Sequence, residues 1–469
     1  MIQKDLLTRT YPGRDETLKV LNFIKDAANG KLDQVKYSRL DSPPQRGRKS
    51  TVHGENDKYL FRFQFETEDH YEERIRMANS FAYTKIIADS YKFLFESVDK
   101  RLTIKGASDD QVKNIIDNVD GMGTGIHRFA ADMFYNILLE GESIVAADKR
   151  DYPYLYHIPR TSIRNFANDD NGEAFIIYET MKQKVTGIDA VNTSCIYVIT
   201  RDEMAEFELE EGSSPIASNN ADYVQTKNVD NPFGVIPVVH AQFSDKVPLL
   251  KPMASIDLNM TNIDSEMRSI IRNQAGLSFL VLPDGTDLSA LSDQSIIFMP
   301  RGNDVQEPSW KAYPAHGLNA HFEYLRFMQA TLFEASRLRR QKNEAESGIS
   351  KALDFTQTKA VLNAGAEEVE KAVEKSLKFY FGYMGQDVEV EYSIERNFEV
   401  SQLDEELKIL AQVLSLGLGS IAETAAKRQF RDKYITMSDQ DKMMSDQELL
   451  DRDSEAFEIN SGDNEGDNE

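Results

Sequence analysis

The chain has 469 residues, 41% of them hydrophobic and 10% aromatic, which is the composition of a folded protein of two to four domains rather than a disordered one. Its 78 Asp and Glu against 54 Lys and Arg leave a formal charge of −24, which argues against a protein that coats DNA by neutralising phosphates but not against one that lets a polyanion pass. One cysteine excludes an internal disulfide and a cysteine-based zinc site.

Taken in chain order, "ETLKVLNFIKDAANG" spaces Leu18, Leu21 and Ile24 for a helix that stops at Gly30. The start of the chain has no apolar core followed by a small-residue cleavage site, and no run of about 18 apolar residues predicts a membrane span. "DSPPQRGRKSTVHGEND" reads as a loop. Residues 71–101 carry one long helical pattern through Ile75, Ala78, Ala82, Ile86, Phe93 and Val98. A further helix ends at Gly141 and gives way to a strand. Residues 150–245 are β-rich, and Cys195 in "TSCIYVIT" reads as a small buried hydrophobe.

Beyond residue 250 the pattern sharpens. Met253, Ile256, Met260, Ile263, Met267 and Ile270 are spaced 3-4-3-4-3, a heptad seam that requires partner helices or packs within its own domain. Leu318, Phe322, Leu325, Met328 and Leu332 form a second stripe. Between the two helices lies an insertion with short strands, "LSFLVL" and "SIIFM", and the single tryptophan. Trp310 with Tyr313 reads either as an exposed protein anchor or as the cover of the insertion's own core.

The segment "RLRRQKNEAESGISKALDF" then places Arg337, Arg339, Arg340 and Lys342 in an otherwise acidic region. Phosphate contact, helix C-terminal capping and pairing with Glu344 and Glu346 all fit these cations. A helix of about 30 residues follows, with Gly365 expected to kink or weaken it. "DVEVEYSI" alternates as a strand. Leu403, Leu407, Leu410 and Leu414 share a helical face, Ser420 with Glu423 and Ser445 with Glu448 suggest capping boxes, and residues 439–469 hold 12 acids against 2 bases.

Catalytic motifs for nucleotide binding, metalloproteolysis or serine hydrolysis are missing from the sequence. His316 and His321 are five apart, one more than a metal pair on a single helix face needs. The expectation is therefore no enzyme, no cofactor and no metal.

In order, "FGVIPVVHAQFSDK", "LLKPMASIDLNMTNIDSEM", "GNDVQEPSW", "LNAHFEYLRFMQATLFEASRL", "SGISKALDF" and "LSLGLGSIAETA" resemble the portal proteins of tailed bacteriophages, of the long-tailed phage type. "SGISKALDF" departs from that family's shorter Ser-Gly-x-Ala-Leu pattern. The resemblance spans residues 70–460. It implies an α+β, mostly helical subunit with wing, stem, clip and crown, assembling into a ring, typically of twelve.

The wing would comprise 1–250 plus the long helix and strand of 350–399. The stem helices would be 251–274 and 318–338, the clip 275–317, the tunnel loop 339–349 and the crown 400–455, followed by a disordered acidic tail over 456–469. Arg337, Arg339, Arg340, Lys342 and Asn343 become candidates for the tunnel wall. Met253, Ile256, Met260, Ile263, Met267, Ile270, Phe322 and Leu325 become candidates for packing between stem subunits, and Trp310 and Tyr313 for docking at the clip. Implied partners are double-stranded DNA, the terminase large subunit, a head-tail connector or adaptor protein, the major capsid protein and a scaffolding protein, with no membrane. The implied location is the portal vertex of the capsid, after assembly in the host cytoplasm. The alternatives are an oligomeric capsid or tail protein that handles no DNA, and a nuclease.

Overall fold

The computed structural model describes residues 7, 9–33, 59–62, 66–170, 172–186, 189–209, 223–275, 278–282, 296–300, 309–311, 316–338, 348–396 and 398. The chain divides into two compact units, Met1–Phe398 and Glu399–Glu469. The second unit lies outside the described residues, as do the crown and the acidic tail expected there. So does the loop expected over 41–57.

The first helix, α1 (Arg14–Ala28), buries Leu21 and Ile24 and is followed by Gly30 at φ +68°. The single helix expected over 71–101 is instead two helices and the start of a strand: α2 (Glu68–Met77), α3 (Tyr83–Glu96) and β1 (Lys100–Lys105). The break falls at Ala82, held in a left-handed conformation at φ 51°, beside a Ser80 amide that donates to Asp33 Oδ2 at 3.1 Å. This interruption re-phases the helix. Ile87, Tyr91 and Phe95 point into the core, while Ile86 and Phe93, which a continuous helix would bury, are 50% and 62% exposed. Ile75 and Ala78 join a separate small cluster with Leu60 and Tyr71.

After α4 (Asp109–Asp117), capped by a reciprocal Ser108–Gln111 box, comes α5 (Ile126–Glu140). It is the centre of the main core, with Phe129, Met133, Phe134 and Ile137 buried. Gly141 ends it at φ 81°, where a Cβ would also overlap the Lys246 carbonyl oxygen.

Strands β2 (Glu142–Lys149) and β3 (Pro153–Ile158) follow, then β4 (Ile163–Asp169), β5 (Gly172–Thr186), β6 (Asp189–Thr200), β7 (Glu203–Leu209), β8 (Tyr223–Asp230) and β9 (Val238–Gln242). They form a five-stranded antiparallel sheet, β4-β5-β6-β7-β8, and a three-stranded antiparallel sheet, β3-β2-β9. One face of the smaller sheet, through Ile144, Ala146 and Val238, packs on Ile163 and Ile176 of the larger. Its other face, through Val145, Ala147 and Val239, joins the main core. Cys195 is buried in β6 as a small apolar side chain would be.

Helix α6 (Lys251–Ala275) and helix α7 (His316–Ser336) pack together, with β10 (Ser278–Leu282), β11 (Ile296–Pro300) and β12 (Ser309–Lys311) in the chain between them. In that insertion β10 is central, parallel to β11 and antiparallel to β12.

Helix α8 (Gly348–Gly382) runs unbroken for 35 residues, about 52 Å at 1.5 Å per residue. It does not break at Gly365, contrary to expectation. The glycine is there because α5 passes so close that a Cβ would overlap the Phe134 ring. The last strand, β13 (Glu389–Ile394), alternates exposed and buried residues and pairs antiparallel with β1. The described chain is thus α+β, with thirteen strands in four sheets. That is more sheet than a mostly helical reading implies.

Candidate functional site

Helix α6 is built to be surrounded. Met253, Met260 and Met267 are 0%, 2% and 7% exposed, and Ile256 and Ile263 are half-buried. The Ile270 side chain lies outside the described ones. Helices α1, α2, α3 and α7 of the same chain pack on α6, so these buried methionines find the partners their spacing requires within the subunit.

The polar residues of α6 are equally committed. The Asp257 carboxylate, fully buried, accepts from the Thr84 amide at 2.9 Å and from its hydroxyl at 3.0 Å. It therefore caps the start of α3, whose own residue at that position, Ala82, offers no side-chain acceptor. Burial pushes the Asp257 pKa up, and the Thr84 hydrogen bonds only partly oppose it. Asn262 accepts from the Phe61 amide at 3.1 Å and donates to the Tyr59 carbonyl at 2.9 Å. Arg74 of α2, 1% exposed, pairs with Glu66 at 2.8 Å and donates to Ser265 Oγ at 3.0 Å. No periodicity signals the contacts made to α6, because their partners lie 173 to 203 residues apart.

Helix α7 is two-sided. Met328 and Leu332 are buried and Leu325 half-buried, whereas Phe322, Tyr324 and Phe327 are 45%, 48% and 62% exposed. Tyr324 and Phe327 stack with ring centroids 6.2 Å apart. Three exposed aromatic rings on one helix are more than a solvated surface ordinarily carries. Of these, sequence spacing singled out Phe322 only. Tyr324 and Phe327 fall off the apolar stripe and needed the packed structure to be seen. His321 sits 3.9 Å from Glu266 of α6, within ion-pair distance, and the His316 side chain lies outside the described ones.

The end of α7 is a junction of three helices. Ser336 is fully buried, and its carbonyl accepts from the Tyr91 hydroxyl of α3 at 2.8 Å. Arg337 follows in a left-handed conformation, φ 57°, at the position where helices usually place glycine. Its carbonyl accepts from the Thr358 hydroxyl of α8, while its side chain is exposed. Burial raises the Tyr91 pKa, and the nearby Arg337 charge partly offsets this. Arg339, Arg340, Lys342 and Asn343 lie outside the described residues, and Arg337 is the member of that cluster described at this junction. Trp310 lies in β12, its backbone opposite Leu280, with its side chain outside the described ones; Tyr313 is outside altogether.

Among the described residues, Cys195, Glu206 and Glu208 are the group spaced for a metal ion. The Lys182 ammonium already occupies the cation position there, 2.7 Å from Glu206 and 3.0 Å from Glu208. These hydrogen bonds hold the Lys182 pKa above its usual value.

A second cluster joins the β3-β2-β9 sheet to the five-stranded sheet. His240 of β9 lies 3.3 Å from Glu142 of β2 through Nδ1 and 2.9 Å from Glu173 of β5 through Nε2. Glu142 also pairs with Arg160 at 3.1 Å. Burial alone would lower the His240 pKa, but the two carboxylates outweigh it and push it up to about 9.

No protein-family model matches the chain, and no curated protein matches its sequence. Among solved structures, it is similar to a chain of the virion of a native gene transfer agent particle. That likeness has a TM-score of 0.40 and 11% identity and covers 85% of this chain and 99% of that one. A chain from the neck of an empty gene transfer agent particle, computed with C6 symmetry, is similar at a TM-score of 0.36 and 12% identity, covering 72% of this chain and 86% of that one. At these scores neither likeness carries an argument about function.

Proposed function

We propose that this chain is the subunit of a portal-type ring through which double-stranded DNA is packaged and ejected. It would be a conduit with no catalytic role of its own, set at one vertex of a capsid. The observation that carries the reading is the order of elements after residue 250. A 25-residue helix and a 21-residue helix pack together, a small three-stranded insertion lies between them, and a 35-residue helix follows. That is the order of stem, clip, stem and long wing helix which the ordered sequence motifs imply.

The exposed rings of α7 support it, because Tyr324 with Phe327 on one flank of the helix and Phe322 on the other offer apolar contacts to the neighbours on either side in a head-to-tail ring. The net charge of −24 supports a passage that does not hold DNA tightly. In this reading Arg337, Arg339, Arg340, Lys342 and Asn343 border the tunnel, and Trp310 and Tyr313 belong to the surface that docks the terminase large subunit and later a connector protein. The number of subunits would be about twelve, by the resemblance. The capsid and scaffolding proteins would bind elsewhere on the ring.

End-on electron microscopy of the purified protein tests this directly. Closed rings with a central hole wide enough for a duplex are expected, and compact monomers would overturn the reading. Rings that package DNA normally after Arg337, Arg339, Arg340 and Lys342 are all changed to Gln would remove those residues from the DNA path.

A further inference from the structure

An open cleft of about 710 Å³ lies where β9, β4 and α8 meet, in the part of the chain that the ring reading leaves unused. Strand β9 is an edge strand: its one strand neighbour is β2, and along its other edge no backbone hydrogen bond is made among the described residues. Such an edge is a row of unpaired donors and acceptors, a template for another strand. The cleft wraps around this edge. Val238, His240 and Gln242 project to the face shared with β4 and β5, whereas Val239 and the α8 residues Lys375, Lys378 and Phe379 line it from the other face.

The two sides differ in chemistry. Towards β4 and β5 the wall is apolar, with Ile144, Ile163, Phe166 and Ile176. The charges of that wall are already balanced, since Arg160 and His240 are paired with Glu142 and Glu173. Lys246, Lys375 and Lys378 remain, and none forms an ion pair with a described carboxylate. In a chain of net charge −24, three lysines around one cleft are a local reversal of sign: Lys246 acts electrostatically on Glu142, whereas Lys375 and Lys378 have no ion-pair partner among the described residues. The Gln242 side-chain oxygen is buried beside this site with no hydrogen-bond partner among the described residues.

We propose that this cleft docks an extended acidic segment of a partner protein, added as a strand to the free edge of β9. Side chains of an added strand alternate between faces, so acidic residues on one side would meet the α8 lysines and apolar residues on the other would meet the isoleucine wall. Backbone N–H groups of the segment supply donors, which a lipid or a simple anion does not. The inference does not rest on the ring reading, and either can fail without the other.

The test uses the full chain and a fluorescein-labelled octapeptide in which Glu alternates with Val and Phe. Saturable binding by fluorescence anisotropy is expected, weakened about tenfold or more in a Lys375→Glu/Lys378→Glu variant. Both lysines are exposed, so the variant should keep its circular dichroism spectrum and melting temperature. The same peptide, N-methylated at every backbone amide, keeps every charge and apolar group but cannot donate to a strand through either edge, and should lose binding to the unaltered protein. A peptide that does not bind overturns the proposal. Equal binding of the N-methylated peptide also overturns it, and assigns the cleft to amphiphilic anions in general. Equal binding by the lysine-reversal variant removes the acidic specificity and overturns it as well.

Discussion

Gly365 of α8 lies directly against the ring of Phe134 of α5, so that a Cβ on the glycine would overlap the ring atoms Cε2 and Cδ2. The ring cannot easily yield, because it stacks on buried Phe95 at a centroid distance of 4.4 Å and an interplanar angle of 8°. Alanine is the better helix former by about 1 kcal/mol, yet Gly365→Ala should destabilise the protein by about 1–3 kcal/mol through overpacking. Urea unfolding checks this. Adding Phe134→Leu to Gly365→Ala should recover part of the loss, and an alanine variant more stable than the parent would show that the helices can move apart.

Asp257 and Thr84 give a graded prediction. Asp257→Ala leaves the Thr84 amide and hydroxyl buried without an acceptor, and should cost about 2–3 kcal/mol. Asp257→Asn keeps an acceptor and removes a charge that burial already disfavours, so its cost should be well below that of the alanine variant. Equal losses for the two variants in denaturant titrations would mean that Asp257 contributes through charge rather than as a cap.

The His240 junction makes stability depend on pH. The folded-state pKa, about 9, is above the ordinary value of 6.5, so the contribution is complete below about pH 6.5 and is lost as pH rises through about 9. Its size is on the order of 3 kcal/mol. Glu142 has the opposite sense. Burial acts to raise its pKa, but hydrogen bonding to His240 and the Arg160 charge leave it lowered, so its contribution is present above pH 4.5 and is lost as pH falls through the lowered value. The melting temperature of the parent should therefore decline between pH 6.5 and 9. His240→Gln should melt lower at pH 6 and show a flatter profile over that range. Parallel profiles would place the alkaline loss elsewhere.

Arg337 offers a separation of stability from function. Its left-handed backbone costs about 1 kcal/mol in a residue with a Cβ, so Arg337→Gly should raise the unfolding free energy by up to about that amount. If the Arg337 side chain contacts DNA as proposed, the same variant should package or retain less DNA despite being more stable. A stabilised variant with unchanged packaging would leave Arg337 a helix-terminating residue only.

The exposed rings of α7 predict an assembly defect. Changing Phe322, Tyr324 and Phe327 together to Ser should leave the melting temperature of the subunit near that of the parent, since the rings are about half or more exposed. Sedimentation velocity should then show smaller species in place of the proposed ring. Intact assemblies would remove these rings from the lateral contact.

Much of the helical framework was legible from one chain. Periodicity located α1, α6, α7 and β13 nearly to their ends, because each of these elements buries one face and its apolar spacing records that face, whereas α5, buried nearly all round, was placed by its stop at Gly141. The single cysteine settled that no internal disulfide could form before any coordinate was known. Tertiary structure alone decided where a pattern is interrupted and what fills a face. Nothing in the spacing of residues 71–101 announces the turn at Ala82, because Asp257 and Asp33, which hold the chain on either side of it, come from elsewhere in the sequence. The heptad seam of α6 states only that partners are needed, and packing supplied them from the same subunit. Gly365 read as a weak point because a missing side chain looks the same whether it permits a bend or makes room for a ring. The junction of His240 with Glu142 and Glu173 spans separations of 98 and 67 residues, and the β9 cleft depends on which strand lies at a sheet edge. Local periodicity reports which face of an element avoids water, whereas the identity of the group across that face is a property of the folded chain.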